Sequence, residues 1–428
     1  MISVVHRLRR PPFAIWFPLT VYAMIRLVDA GFILIAQRHQ ITLPDLGKPA
    51  HPGYFAVATN WDGEWYRGIS LNGYPSKLPT ESTGAIANNA WGFYPAYPFT
   101  VGALTRLTGL SFNLVAPLVS FLLGAAAMVV MYRLLNQVAG RLVASATVVL
   151  ACTYMAAPVM QIAYTESMAL LLTCSALLLL HRRRYGWFAA ILTLLALTRP
   201  VALVFVPVVC WHGIWRYRRR DLEPFPTRDR WLVVAVGLVC LFATGLWPAI
   251  AGLVTGVPTA YTQTMSSWGS PGDTRVLTAW TVKAWESGGF AGSVVLAGAV
   301  FLLVLLALRR GAGAWGPEVR AWVLAFPLFI LLSTSPGSSS PRHLFLAFPL
   351  LWPIPERSTS PTDRRLRLIA FSVLFVIGLG SQWLCTDPFL VVPTTATVAP
   401  FPRRDGLSPR SPQDRAGRSS PPAVQHRS

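Results

Sequence analysis

Charge is what this chain has least of. Only 13% of its 428 residues are Asp, Glu, Lys or Arg, about half of the ~25% usual in soluble domains. Acidic residues number 17, and lysine stands only at positions 48, 77 and 283. So little charge cannot cover a water-soluble domain of this length, and a soluble globular fold is excluded. The five cysteines (Cys152, Cys174, Cys210, Cys240, Cys385) lie in or at the ends of apolar segments with no CxxC spacing. They read as small buried hydrophobes, not as a disulfide framework or metal site. No P-loop, Rossmann glycine pattern or HExxH motif occurs, nor the paired inward acids of a proton-coupled transporter or the arginine spacing of a voltage sensor.

What the chain does have is apolar length. Hydrophobic residues make up 53% of it, and runs long enough to cross the ~30 Å hydrocarbon core recur throughout. This predicts an all-α polytopic membrane protein. The formal net charge of +20 does not indicate nucleic acid. The arginines sit in short clusters between apolar segments (Arg7/Arg9/Arg10, Arg182 to Arg184, Arg216 to Arg220, Arg309/Arg310 and Arg364 to Arg367), which is the positive-inside pattern. Arginine in place of lysine almost everywhere suggests a bacterial genome of high GC content, hence a bacterial plasma membrane. The basic start followed by the apolar run from Pro12 to about Ala36 is too long for a signal peptide and lacks an A-x-A-type site, so it reads as a retained first span.

The clusters thread the chain with its N-terminus inside. A span at about 13–36 delivers an outer loop, 37–92. Residues 93–107, with two prolines, are marginal for crossing and read as a re-entrant or interfacial helix. Spans follow at about 112–132, 143–161 and 164–180. Two half-length helices then flank an Arg199-Pro200 break near the outer leaflet. A span at 231–254 leads to a second outer loop, 255–289, and further segments are expected at 291–308, 320–334, after Arg342-His343, and at 367–385, roughly nine to eleven in all by length. Residues 1–385 thus form one transmembrane domain. Residues 386–428, rich in Pro, Ser and Arg, have too little apolar content to fold and read as a disordered tail. Threading puts that tail outside, against its own Arg content.

The same threading collects the chemistry-bearing residues on the outer side. Asn60-Trp61-Asp62-Gly63-Glu64-Trp65-Tyr66 places two carboxylates and three aromatics just after the first span. If 61–71 is helical, Asn60 is its N-cap and Gly73 its stop, and Asp62, Tyr66 and Ile69 share a face. Both acids also suit the dipole of a first turn, a bland role that fits Glu64 better than Asp62. Trp61 and Trp65 read as interfacial anchors. Tyr164-Thr165-Glu166 opens a helix, where Glu166 is either a site residue or an ordinary helix-start acid. Arg199 is isolated among apolar residues, and charge at membrane depth marks a functional site by default. Its fork geometry suits a lipid phosphate; the alternative is a structural ion pair with an acid on another span. Arg26 and Asp29, at i and i+3 in span one, suit each other. Arg342-His343, after Ser338-Ser-Ser-Pro341, either binds a phosphate or hydroxyls or marks a helix start.

Four motifs in order, Trp61-Asp62-Gly63-Glu64-Trp65-Tyr66 with Gly73-Tyr74, Phe93-Tyr-Pro-Ala-Tyr-Pro98, Tyr164-Thr-Glu166-Ser167 and Leu197-Thr-Arg-Pro200, resemble the phosphatidylinositol-glycan class V mannosyltransferases and their bacterial relatives. The motifs cover 61–200, and the polytopic plan extends the resemblance over about 10–385. It implies a GT-C glycosyltransferase fold, a polyprenyl-phosphate donor carrying a sugar, mannose in the family, and transfer on the outer face to a glycolipid or other glycan acceptor. Asp62 matches the family's loop acid, Glu166 the acid of its Tyr-x-Glu motif and Arg199 the arginine of its Arg-Pro motif. The chain departs at Asn60, where the family often has arginine.

Under this resemblance Asp62 is the general base that takes the acceptor hydroxyl's proton. Glu64, Tyr66, Tyr164, Glu166, Arg199, Arg342 and His343 are substrate-binding candidates, with Arg199, joined by Arg342 or His343, stabilising the departing phosphate. Direct displacement inverts the anomeric centre. No spacing demands a metal, although Asp62, Glu64 and Glu166 are the acids available to one. A lipid or lipid-linked sugar flippase and a non-catalytic subunit of a glycosyltransferase complex are the competing classes.

Overall fold

A computed structural model of the protein describes residues 12–268, 278–308, 315–354 and 360–393. The basic cluster Arg7/Arg9/Arg10, the pair Arg309/Arg310 and the chain beyond 393 lie outside the described residues.

Fifteen α-helices account for most of the described chain. They are α1 (Phe13–His39), α2 (Tyr54–Val57), α3 (Asp62–Asn72), α4 (Ala96–Thr108), α5 (Phe112–Val138), α6 (Arg141–Cys152), α7 (Glu166–His181), α8 (Tyr185–Ala196), α9 (Phe205–Arg218), α10 (Thr227–Thr255), α11 (Ala260–Trp268), α12 (Ala279–Leu308), α13 (Gly316–Ser333), α14 (Ser340–Leu344) and α15 (Pro361–Leu390). Among the described residues there is no β-strand, only two isolated bridges in the loops, Leu43 with Lys48 and Thr80 with Ile86.

Six helices are long and apolar enough to cross a membrane: α1, α5, α10, α12, α13 and the body of α15; α6, α7 and α8 are shorter apolar helices. Large apolar side chains such as Leu27, Phe242, Phe290, Val295 and Val376 stand exposed on the long helices. Such surfaces are tolerable only against lipid, and the chain is an integral membrane protein. Inside, α5 packs on α7 and α1, and α13 on α9. Tyr97, Tyr132, Phe188, Phe205, Trp322 and Phe326 fill the space between them, each essentially fully buried.

One buried ionic group fixes an end of this bundle, and a second lies midway along α1. At the end that carries Arg182 to Arg184, Glu318 Oε1 meets His212 Nδ1 at 2.6 Å and Glu318 Oε2 meets His181 Nδ1 at 3.1 Å. Arg216 Nη1 donates to Tyr185 OH and to Asp229 Oδ2, both at 2.9 Å. These bonds tie α7, α8, α9, α10 and α13 together. In α1, Arg26 and Asp29 form the expected pair, Nη2 to Oδ2 at 2.7 Å, both buried.

Arg26 also explains a departure from the predicted spans. The segment expected at 143–161 is not one helix: α6 ends at Cys152 and a 3₁₀ turn, Ala157–Gln161, follows. Arg26 donates to the carbonyls of Cys152 (2.6 Å) and Ala157, so the backbone freed by the break is satisfied without water, as irregular chain at membrane depth requires.

Other expectations shift for local reasons. The half-length pair is present, with α8 and α9 on either side of Arg199-Pro200. The expected re-entrant segment is α4, whose 13 residues reach only about 20 Å. Helix α12 begins at Ala279, ahead of the expected 291, and carries a non-helical residue at Gly289 (φ 54°). Residues 386–393, expected in the tail, continue α15 and then lie along the protein, with Leu390 and Val392 buried. Their few apolar side chains find a pocket beside Ala36 and Tyr164 that composition could not reveal.

Candidate functional site

The site grows from the turn that joins residues 40–61 to α3. Asn60 was expected to cap α3; instead its side chain is spent elsewhere. Its Oδ1 accepts from Lys48 Nζ at 2.7 Å and its Nδ2 donates to the carbonyl of Leu390 at 2.9 Å. Trp61 takes the N-cap position at φ 58°, ψ −117°, a left-handed conformation that costs a bulky residue of order 1–3 kcal/mol. That turn swings Asp62 to the start of α3, half-exposed, while Gly73 ends the helix as expected.

Arg342 meets it from 280 residues away. Its Nη1 lies 2.8 Å from Asp62 Oδ2 and 3.5 Å from Glu166 Oε1, and its Nη2 donates to Ser339 Oγ at 3.0 Å. The guanidinium sits over the Tyr164 ring, 4.7 Å from its centroid. From the Arg-Pro break, Arg199 Nη2 reaches the same Glu166 Oε1 at 2.6 Å and its Nε donates to Thr165 Oγ1 at 3.1 Å. Asp62, Arg342, Glu166 and Arg199 therefore form one continuous ionic chain drawn from four separate segments. Its short helix α14 is positioned by Tyr154, which donates to the carbonyl of Pro341 at 3.0 Å and stacks on Phe345.

Burial and charge set the protonation of the neighbours. Burial alone would lower the Arg342 pKa, but Asp62, Glu166 and Tyr164 outweigh it and raise it, so the guanidinium stays charged. His343 is pushed down to about 3, first by burial and then by Arg199 and Arg342. It is a neutral imidazole near neutral pH and brings hydrogen bonding but no charge. Burial, with Asp62 next, raises both Tyr66 and Tyr164, so both keep their phenolic protons.

Not every expected residue joins the cluster. Glu64 points away and pairs with Lys48. Tyr66 is buried against Phe93 and Tyr97, its hydroxyl 3.5 Å from Thr165 Oγ1, so it supports the residue that Arg199 grips. Trp65, expected at an interface, is buried in an aromatic stack with Phe93 and Trp268. Among the described residues no group of three or more His, Cys, Asp or Glu is arranged to hold a metal ion. Arg199 has the partner that its structural alternative calls for, an acid on another helix, and that acid, Glu166, stands in the first turn of α7 as a helix-start acid would.

A cavity of about 520 Å³ opens beside this cluster. Trp61, Asp62, Tyr164 and Arg342 line it, together with Ser338, Ser339 and Asp387. Asp62 Oδ2 is taken by Arg342, while Oδ1 carries no hydrogen bond among the described residues. The sequence did not single out Lys48 or Asp387, and it gave Asn60 only the role of a cap. Lys48 had a signal, as one of three lysines, and it sits on Asn60, beside the place where the resemblance calls for an arginine. Asp387 had none, lying in what read as a tail.

No protein-family model matches the chain, and no curated protein matches it in sequence. Two solved structures have a similar course. One is the crystal structure of the Archaeoglobus fulgidus oligosaccharyltransferase tethered with an acceptor peptide containing the NVT sequon, with 11% identity and a TM-score of 0.47 over 90% of this chain and 56% of that one. The other is the archaeal oligosaccharyltransferase AglB from Archaeoglobus fulgidus in complex with an inhibitory peptide and a dolichol-phosphate, with 11% identity and a TM-score of 0.46 over 90% of this chain and 57% of that one. The chain spans little more than half the length of each. At this distance neither likeness carries a residue role or an activity to this chain.

Proposed function

We propose that this protein is a membrane glycosyltransferase with a GT-C-type plan, moving a sugar from a polyprenyl-phosphate donor to a hydroxyl acceptor at the outer face of a bacterial plasma membrane. The observation that carries it is the ionic chain from Asp62 through Arg342 and Glu166 to Arg199, beside a cavity and at one end of the bundle. A carboxylate and two arginines brought together are what such a transfer needs. The order of motifs that resembles the phosphatidylinositol-glycan class V family, with mannose as the sugar, supports the same reading.

In this mechanism the acceptor oxygen attacks the anomeric carbon as the bond from that carbon to the phosphate oxygen breaks. The acceptor's proton passes to Asp62 through its unbonded Oδ1. The electron pair of the broken bond leaves on the polyprenyl phosphate. Arg199, whose remaining guanidinium donors are not used by Glu166 or Thr165, and Arg342 stabilise that developing charge, as preorganised cations do. His343, being neutral, contributes a hydrogen bond only. Attack opposite the leaving phosphate inverts the sugar. The basic ends of α7 and α9 lie at the other end of the bundle, and the positive-inside rule then assigns the site to the outer leaflet.

The test is transfer of radiolabelled mannose from a polyprenyl phosphate to acceptors in membranes containing the protein. Asp62→Asn keeps the size and the hydrogen bond to Arg342 but cannot take a proton, and the rate is expected to fall by about 100-fold or more. Near-normal transfer by Asp62→Asn removes the base and moves a non-catalytic subunit role to the front.

A further inference from the structure

We infer that Trp61 is the platform on which a pyranose ring stacks in the cavity it shares with Asp62, the indole face meeting the C–H face of the sugar. This rests on the transfer reading above. It adds a residue that holds the sugar ring itself, where Asp62, Arg199 and Arg342 act on the proton and the charges around it.

Residues 60–63 form a tight turn, closed by the Gly63 N–H donating to the Asn60 carbonyl at 3.1 Å. Trp61 is its second residue. Its φ of 58° and ψ of −117° are those of a type II′ turn at that position, where glycine is the ordinary occupant because a side chain strains it. Lys48 and Leu390 hold the strain in place by gripping Asn60 from two sides. A second cost lies in the ring. Its Nε1 is buried with no hydrogen-bond partner among the described residues, and an N–H taken from water without a partner is unfavourable. Glycine at this position would remove both costs, and leucine would remove the second.

Packing does not account for a tryptophan here. Trp61 rests against the apolar cluster that includes Ile33, Ala36 and Leu390, contacts that an aliphatic side chain makes as well. Nor is it stacked as Trp65 is, against Phe93 and Trp268. Among the described residues no aromatic ring stacks on Trp61 and no cation lies over it. The side chain is only partly buried, and it lines the cavity with Asp62 and Tyr164. Of the two aromatic residues there, Tyr164 already has the Arg342 guanidinium over its ring, which leaves Trp61 as the open one. Tryptophan offers the broadest and most electron-rich face of any side chain. A pyranose carries on one face several C–H bonds polarised by their oxygens, and those positive hydrogens meet the negative face of the indole. The stacked ring is the donor's sugar or a sugar of the acceptor, since both must meet at Asp62.

The test uses the full-length protein in lipid nanodiscs and two neutral probes: methyl α-mannoside, a pyranose, and mannitol, an open-chain polyol with hydroxyls but no ring face. Binding is followed by saturation-transfer NMR, and donor KM by the radiolabel assay with varied polyprenyl-phosphate mannose. The native protein should prefer the pyranose to the polyol. Trp61→Leu keeps the apolar contacts and loses the face. It should raise donor KM about tenfold if the donor's sugar is the one stacked, or leave donor KM and weaken methyl α-mannoside about tenfold if the acceptor's is. Trp61→Phe, which keeps an aromatic face, should stay within about threefold of the native protein in the same quantity. Native donor KM and native probe binding in Trp61→Leu overturn the platform, as does equal impairment of the Leu and Phe variants or no preference of the native protein for the pyranose. A native protein that prefers methyl α-mannoside yet transfers sugar to no acceptor overturns the transfer reading and leaves the platform standing.

Discussion

Arg199 was legible as unusual and His343 only as a candidate beside Arg342, and the structure separates what could be read from what could not. An arginine among leucines must have a reason, and its reason includes Glu166, itself singled out by position. What one-dimensional reading could not supply is that Arg342 shares the same carboxylate, because that contact crosses 176 residues of chain, with α8 to α13 between. His343 shows the same limit: its type suggests a titrating group, whereas its surroundings hold it down at about 3 by burial and by Arg199 and Arg342. The consequence has a sign. Its folded-state value is below the ~6.5 of an unfolded histidine, so its contribution to stability is present above about pH 6.5 and is lost as pH falls from there toward 3. Thermal midpoints of the purified protein should therefore decline on acidification across that window. His343→Gln, which keeps a hydrogen-bonding group without the titration, should make the decline shallower. Equal slopes for the two proteins would show that His343 does not titrate against the fold.

At the scale of elements, α1, α5, α10, α13 and the Arg-Pro break were readable because length, apolar runs and proline act locally. The start of α3 was not. Its entry is decided by Lys48 and Leu390, which hold Asn60 from two sides and leave Trp61 to absorb a left-handed backbone. The other determinant is Gly63. A Cβ built there would stand 3.2 Å from the Cβ of Ala163, so the first turn of α3 can lie this close to the Tyr164-Thr165-Glu166 segment only without a side chain. Gly63→Ala gains about 0.5–1 kcal/mol of helix preference but forces α3 away by a few tenths of an ångström, moving Asp62 relative to Arg342. Thermal stability is then expected to hold or rise while transfer falls about tenfold, since a small misplacement of reacting groups is costly. Adding Ala163→Gly should restore much of the rate by reopening the space. If the double variant is as slow as Gly63→Ala alone, the close approach is not what positions Asp62.

For the molecule as a whole, the distribution of charge over the two ends of the bundle decides which way the site faces. Helix α7 measures the separation directly. It begins at Glu166, in the ionic chain, and its 16 residues end at His181 beside Arg182 to Arg184, about 24 Å away. Arg216 and Arg218 end α9 at the same basic end, where Glu318 and the two histidines lock the helices. The polytopic plan was therefore legible from the apolar runs and the arginine clusters between them, while the closure of the site by residues 387–393 was not, because a short proline-bearing stretch carries no pattern until Gln40 and Asn60 engage its backbone. Orientation follows as a measurable outcome. In a background with the five native cysteines replaced, Thr80→Cys, in a loop, and Met265→Cys, on α11, both at exposed positions, should react with an impermeant thiol reagent in intact cells. Leu222→Cys, 80% exposed at the basic end, should react only after the membrane is opened. Labelling of position 222 in intact cells at the level of position 80 would place the arginine clusters outside, and would bring the Asp62 cavity to the cytoplasmic leaflet, where a nucleotide-activated sugar and not a lipid-linked one would be the donor at hand.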